Sequence, residues 1–191
     1  MPDDVLGRQL LGVARHAIAS ELALSAIEPQ TDAALQRPGA TFVTLLCADE
    51  LRGCIGSLNA RRALALDVRE NALAAAFRDP RFPPLTAREF PSLAIEVSLL
   101  SQPENASFAT EAELLSRLVP GVDGVALALD DRHATFLPQV WEMIPEPGEF
   151  LAALKAKARL PADLWSPRLN VALYRVTKWK ESEFVLRETA A

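Results

Sequence analysis

The sequence predicts an α+β fold with two unequal lobes, built from a β-β-α-β pattern that occurs twice after an N-terminal helix. Two observations lead to this prediction. Short β-branched and apolar runs bounded by turn residues predict strands, and apolar residues at helical spacing predict helices. The order of these elements in residues 1–105 also resembles their order in residues 106–191. We therefore expect a single domain over residues 1–191, with a cleft between its two lobes.

The N-terminal helix is predicted from Val5 to Ala26. Its apolar residues repeat at helical spacing and would face inward as one stripe, which consists of Leu6, Leu10, Ala14, Ile18 and Leu22. The segment from Pro29 to Gly39 then has the composition of a loop.

The first β-β-α-β pattern begins with an apolar strand from Thr41 to Cys47. A short polar turn leads to the return strand, Leu51 to Gly56. A helix is predicted from Ala63 to Phe77, with Asn59 as its N-cap, and the prolines that follow end it. The alternating run from Ala94 to Leu100 completes the pattern as a strand.

The second half repeats this order after a short additional helix. Thr110 and Glu113 form a capping box, which predicts that this helix runs from Glu111 to Leu118. The later elements are strands at 122–129 and 132–137, a helix at 149–158 and a strand at 171–178. The two halves share few identical residues, so the repeat is one of pattern only.

Composition excludes several classes of function. The net charge is −5, whereas a protein that binds nucleic acid through phosphates needs an excess of Lys and Arg. The longest uncharged apolar run, residues 40–48, is too short to cross a bilayer, and the N-terminus is acidic without the apolar core of a signal peptide. Two cysteines and two histidines show no zinc-ligand spacing. We expect a cytoplasmic protein with no metal or cofactor of its own and no nucleic-acid or membrane partner.

The return strand carries the most informative group of residues. In an extended strand Arg52, Cys54 and Gly56 share one face, because side chains alternate. Glycines weaken a strand, so Gly53 and Gly56 suggest that another backbone or a ligand approaches closely. Arg52 would place a cation beside the thiol, and cations favour the nucleophilic thiolate. Cys54 is therefore a candidate nucleophile, with Arg52, Gly53 and Gly56 as candidate substrate-binding residues.

A structural interpretation of Cys54 stands beside this one. Free cysteines are among the most buried residues and commonly act as small apolar side chains. Cys47, inside the apolar strand, is interpreted in this way. The sequence leaves both interpretations of Cys54 open.

Glu96 is a charged residue in an otherwise largely apolar strand. A carboxylate there must lie at a solvated rim or meet a cation such as Arg52. Its functional interpretation is a general acid or base in a cleft, with Ser98 on the same face as a substrate-binding residue. Its structural interpretation is an ion-paired or edge-strand glutamate.

Five ordered blocks are similar to the AMMECR-type domain family. The segment Leu51–Gly56 reads LRGCIG, the hallmark of that family. The other blocks are Asp79–Leu85, Glu96–Ser101, Gly121–Gly124 with Thr135–Val140, and Leu173–Arg175. The resemblance covers about residues 40–180. Lys155 stands where the family often has cysteine, and Arg159 where it has a glycine that would cap a helix.

The resemblance implies an α+β fold of two unequal lobes with a groove along the LRGCIG segment. It also implies a set of three proteins, in which relatives of this chain act with a Memo-like protein and a radical-SAM enzyme. The sequence contains no cluster-binding C-x-x-x-C-x-x-C, so radical chemistry would belong to a partner.

Two functions follow as hypotheses. The first is a component of a small-molecule modification pathway, in which Arg52 binds an anion, Cys54 supplies a thiolate, and Glu96 moves a proton or orients Arg52. The second is a non-catalytic module that binds a small molecule or an extended peptide, with Cys54 as a packing residue.

Overall fold

The computed structural model describes residues 4–25, 27–29 and 31–184. The α-helices are α1 (Asp4–Glu21), α2 (Leu64–Phe77), α3 (Glu111–Arg117) and α4 (Pro147–Lys157). The strands are β1 (Pro38–Cys47), β2 (Glu50–Gly56), β3 (Arg62–Ala63), β4 (Leu93–Leu100), β5 (Glu104–Ala106), β6 (Gly124–Leu129), β7 (Arg132–Phe136), β8 (Asn170–Tyr174) and β9 (Val176–Lys180). Short 3₁₀ helices lie at Ala33–Gln36, Phe90–Ser92 and Pro138–Glu142.

The predicted α+β class is confirmed, with helices and two separate sheets. The first sheet has the strand order β2-β1-β4-β9, and β3 pairs with the start of β1. The second sheet has the order β5-β8-β6-β7. Strand β1 is antiparallel to β2 and β4, and β6 is antiparallel to β7 and β8. Within the described ranges, no helix is long and apolar enough to span a membrane.

Both sheets contain the same arrangement of the β-β-α-β pattern. The first strand is central, its hairpin partner lies on one side, and the strand after the helix lies on the other. The first pattern, which contains α2, therefore has the spatial strand order β2-β1-β4. The second pattern, which contains α4, has the order β7-β6-β8. The shared order is the one that the predicted repeat requires.

The predicted strand at 171–178 is wrong, because the structure divides it into two strands. Strand β8 pairs with β6 in the second sheet, whereas β9 lies beside β4 in the first. The break falls at Arg175, which is exposed between two strands of similar composition, so periodicity does not reveal it. The described residues form two compact units, one from 4–100 together with 177–184 and the other from Ser101–Val176. The cleft between the lobes stays a prediction.

Two helix boundaries also differ from the sequence prediction. Helix α1 ends at Glu21, because Ala23 takes a positive φ of 55° and closes the last turn; the predicted end, Ala26, lies outside the described residues. Asn59 does not cap α2. The amide of Leu64 instead donates to the carbonyl of Arg37 at 2.8 Å, where β3 pairs with β1. The capping role of Thr110 is confirmed, since its hydroxyl accepts from the Glu113 amide at 3.2 Å.

The first sheet buries one face against α1 and α2. Val43, Leu45, Ile95 and Val97 are fully buried on this face and pack in one core with Leu10, Ile18, Val68 and Ala72. Because side chains alternate along a strand, the intervening residues of β1 and β4 lie on the opposite face. That opposite face therefore carries Thr44 and Glu96.

The second unit has its own core around α4. Phe150 is fully buried and stacks on Trp141 with ring centroids 3.7 Å apart. Lys155 is also fully buried, and its ammonium donates to Glu111 at 2.7 Å and to the carbonyl of Ala162 at 2.8 Å. This lysine thus joins α4 to α3 and to the segment that follows α4.

Arg159 ends α4 in the conformation expected of a glycine. Its φ is 58°, its amide donates to the Ala156 carbonyl, and the Leu160 amide donates to the Lys155 carbonyl. These two hydrogen bonds form a Schellman motif. The helix cap is therefore present although the glycine is missing.

We expect Arg159→Gly to raise the free energy of unfolding by about 0.5–1 kcal/mol, because glycine adopts positive φ without steric cost. Arg159→Ala is the matched control, since it removes the charge and keeps the strained φ. Denaturant unfolding measures both variants. Equal stabilities of the two variants would contradict the prediction.

Candidate functional site

The candidate site lies on and beside the sheet face opposite α1 and α2. Cys54 of β2 pairs with Thr44 of β1, and Thr44 pairs with Glu96 of β4. In the next row Gly56 pairs with Phe42, and Phe42 with Ser98. Neighbouring strands lie about 4.8 Å apart, so the backbones of Cys54 and Glu96 are about 10 Å apart. Cys54, Gly56, Glu96 and Ser98 thus share a face, but Cys54 and Glu96 are not adjacent.

Cys54 is half-buried and bonded through its side chain and its backbone. The Thr44 hydroxyl donates to Sγ at 3.3 Å. The Cys54 amide donates to Asp79 Oδ2 at 2.9 Å, and its carbonyl accepts from Arg81 Nη2 at 3.1 Å. Since β2 is an edge strand, these two side chains satisfy backbone groups that a further strand would otherwise pair with. We call Asp79 and Arg81 the edge clasp.

The edge clasp is held by charge-assisted hydrogen bonds. Asp79 Oδ1 accepts from the backbone amide and Nε of Arg81 at 3.1 and 2.9 Å, and Oδ2 accepts from Nη2 at 2.7 Å. The hydrogen bond from Arg81 holds the pKa of Asp79 well below its usual range, although burial opposes the shift. The same bond raises the pKa of Arg81, with a smaller contribution from the charge of Asp79. The cation next to Cys54 is Arg81, whose Nη2 donates to the Cys54 carbonyl.

Arg52, the cation that the sequence suggested, is engaged elsewhere. The register of β1 and β2 shifts between Leu45 and Leu46, which leaves Arg52 at a bulge. Its Nε donates to Glu89 Oε1 at 2.8 Å, and its guanidinium lies 6.0 Å from the centre of the Phe82 ring. The fork that was expected to bind a substrate anion is thus occupied by Glu89, and Arg52 does not pair with Glu96.

Glu89 is itself fixed by the residues before it. Its Oε2 accepts from the amide and hydroxyl of Thr86 at 2.9 and 2.7 Å. The hydrogen bond from Arg52 and those from Thr86 lower the pKa of Glu89 to about 2.

Glu96 finds its cations on β9. It is buried, with Lys178 Nζ at 3.5 Å from Oε2 and Lys180 Nζ at 3.3 Å from Oε1. The expectation of a paired glutamate is correct, and the partner differs because β9 adds to the sheet beside β4. A single sequence does not show which strand becomes the neighbour of β4.

The two glycines of the LRGCIG segment serve packing. A Cβ at Gly53 would lie 2.1 Å from the carbonyl oxygen of Ala75, so β2 approaches the backbone of α2 there. A Cβ at Gly56 would lie 2.2 Å from the Phe42 ring, so an aromatic side chain occupies the space next to this glycine. Close approach of other protein atoms therefore accounts for both glycines.

Sequence reasoning missed Thr44 and the edge clasp as parts of the site. The Asp79–Leu85 segment was interpreted as the end of a helix, and its likeness to a family block was the available signal. Blocks that recur together with LRGCIG are candidates for contact with it. The structure shows that contact through Asp79, Arg81 and Phe82.

Among the described residues, no group of three or more His, Cys, Asp or Glu side chains is placed to bind a metal ion. A cavity of about 820 Å³ lies along α1 and is lined by residues that include Arg8, Leu11, Arg15, Leu93 and Phe184. It shares no lining residue with the Cys54 site.

Comparison with known proteins shows which family carries this arrangement. The AMMECR1 family model matches residues 11–179. The chain belongs to the AMMECR1 family. A protein of Sulfolobus acidocaldarius is 34% identical over 197 residues, covering 95% of this chain and 87% of that protein. A protein of Thermofilum pendens is 35% identical over 177 residues, covering 83% and 81%.

A solved structure supports the architecture. The crystal structure of the uncharacterized protein PH0010 from Pyrococcus horikoshii matches with a TM-score of 0.76 and 31% identity. The match covers 95% of this chain and 93% of that one. These likenesses show the family and the fold of this AMMECR1 domain.

We expect Gly53→Ala to lower the free energy of unfolding by about 2–3 kcal/mol, because the new methyl group meets backbone and not a flexible side chain. Gly148→Ala is the matched control, since no atom lies within 4 Å of the added Cβ. Denaturant unfolding should show the control unchanged or slightly more stable. A fully stable Gly53→Ala variant would contradict the packing role of Gly53.

Glu89→Gln should remove a contribution to stability that depends on pH. The pKa of Glu89 is 4.5 in the absence of interactions and about 2 in the fold. The contribution is therefore complete above pH 4.5 and is lost as pH falls toward 2. Because 34% of the side chain is exposed, we expect a loss of only about 1 kcal/mol at neutral pH.

Denaturant unfolding of the wild type and Glu89→Gln over this pH range is the measurement. The difference between the two proteins should shrink as the solution becomes more acidic. A difference that is independent of pH would show that the ionised carboxylate is not what stabilises Arg52.

Proposed function

We propose that this AMMECR1 domain uses Cys54 as a thiolate nucleophile in a small-molecule modification pathway. The observation that supports the proposal is the environment of the sulfur. The Thr44 hydroxyl donates to Sγ, and the Arg81 guanidinium is held beside Cys54 by Asp79. Hydrogen-bond donors and cations are the groups that stabilise a thiolate, which is the reactive form of cysteine.

In the proposed step, Sγ attacks an electrophilic carbon of the substrate. The sulfur lone pair forms the new S–C bond, and the electron pair of the bond that breaks leaves with the displaced group. The domain then carries the substrate covalently. Family resemblance suggests a Memo-like protein and a radical-SAM enzyme as the partners, and the radical-SAM enzyme would supply any radical chemistry.

Glu96 and Ser98 have a different role in this proposal from the one that the sequence suggested. Glu96 lies too far from Cys54 to take the thiol proton directly, since Thr44 stands between them. It would act on a part of the substrate that extends over the sheet face, next to Ser98. Arg52, held by Glu89, stabilises the bulge in β2 and supports Phe82.

The alternative is a module that binds an extended peptide along β2, with Cys54 as a packing residue. The edge clasp argues against peptide addition at Cys54. Both backbone groups of that residue are already bonded, so an added strand would have to displace Asp79 and Arg81. The geometry therefore favours the nucleophile over strand addition at this position.

Competitive alkylation of the native protein tests the proposal. A limiting amount of iodoacetamide at neutral pH should label Cys54 about tenfold faster than Cys47, as resolved by peptide mass spectrometry. Cys47 is an internal control because it is also half-buried. Thr44→Val should slow the labelling of Cys54, whereas Thr44→Ser should not.

Either of two results would overturn the proposal. The first is a Cys54 that stays unlabelled until the protein unfolds, which would make the LRGCIG segment architectural. The second is full activity of Cys54→Ser in a set reconstituted with its partners.

A further inference from the structure

We infer that the substrate of Cys54 carries a carboxylate or phosphate group next to its electrophilic centre, and that Arg81 binds this group. The inference rests on the proposed function, because it concerns the molecule that Cys54 attacks. It assigns to Arg81 the recognition role that the sequence had suggested for Arg52.

Arg81 has hydrogen-bonding capacity that the protein does not use. Its Nε and Nη2 atoms bond to Asp79 and to the Cys54 carbonyl. Its Nη1 atom has no partner among the described residues, and the side chain is 52% exposed. The guanidinium thus presents free N–H groups to solvent while its other edge is fixed beside Cys54.

The charge that a substrate meets at this point is positive. The Asp79 side chain is only 1% exposed, and its two oxygens accept four hydrogen bonds from Cys54 and Arg81. Its negative charge is therefore turned inward, with its acceptor sites occupied. The outer edge of the guanidinium is the part of the ion pair that faces solvent.

The neighbouring aromatic ring restricts the guanidinium further. Phe82 has its ring centre 5.5 Å from Arg81 and 6.0 Å from Arg52. Such contacts, together with the bonds to Asp79, limit the conformations of Arg81 before a ligand arrives. The two remaining N–H groups, both on Nη1, can then donate charge-assisted hydrogen bonds to the oxygens of a carboxylate or phosphate. Arg52 cannot serve in the same way because its side chain is only 11% exposed, whereas that of Arg81 is 52% exposed.

Two alkylating reagents that differ in charge test the inference. Iodoacetate and iodoacetamide react by the same displacement, in which Sγ bonds to the methylene carbon and iodide leaves with the C–I electron pair. Iodoacetate carries a carboxylate beside that carbon, whereas iodoacetamide is neutral. The quantity to measure is the ratio of their labelling rates at Cys54, divided by the same ratio at Cys47 in the same sample.

We expect this normalised ratio to be about ten in the wild type. Arg81→Gln should bring it close to one, and Arg81→Lys should retain part of the preference because the charge remains. Raising the salt concentration should reduce the preference, since the anion binds at an exposed cation. Inorganic phosphate should slow iodoacetate labelling of Cys54 in the wild type, which tests the inference without any substitution.

The possible outcomes separate this inference from the proposed function. Rapid labelling of Cys54 with a normalised ratio near one, and no protection by phosphate, would overturn the inference and leave the nucleophile in place. Failure of Cys54 to react with either reagent in the native protein would overturn both. A preference that survives in Arg81→Gln would show that another group binds the anion.

Discussion

The candidate site depends on the hydrogen bonds that the carboxylate of Asp79 accepts. This carboxylate is buried in the segment after α2, and it holds both the backbone amide of Cys54 and the guanidinium of Arg81. A buried carboxylate is costly unless its charge is paired and its lone pairs are bonded, and here four donors meet that requirement. The position of the thiol and the position of its neighbouring cation are consequently set by the same group.

The sequence predicted elements better than it predicted contacts. Alternation along β4 placed Glu96 and Ser98 on one face, and helical spacing identified α1, because these patterns are local. It did not show that β9 joins the first sheet beside β4, so the lysine partners of Glu96 were missed. Nor did it show the bulge at Arg52, since a bulge arises from pairing between strands. Contacts such as that between Asp79 and Cys54 join residues that are distant in the sequence, so local patterns do not predict them.

The repeated pattern gives a comparison within the chain. Thr44 lies three residues before the last residue of β1, and Ala126 lies three residues before the last residue of β6. Their partners across the hairpins are Cys54 and Thr135. The Thr135 hydroxyl is bonded to the Val125 carbonyl and to the Tyr174 hydroxyl, and burial raises the pKa of Tyr174. The same position of the pattern is thus occupied by Thr135, which joins a hydrogen-bond network, in the second sheet. In the first sheet it is occupied by Cys54, which lies next to a cation.

The return of the chain to the first sheet has a consequence for synthesis on the ribosome. The second unit, Ser101–Val176, is contiguous, so all of its strands emerge before the first sheet receives β9. Until then Glu96 has neither of its lysines, and burying its carboxylate is unfavourable. The first sheet is therefore the last to be completed, although it begins nearer the N-terminus. The two sheets thus receive their last strands in the reverse of the order in which their first strands are made.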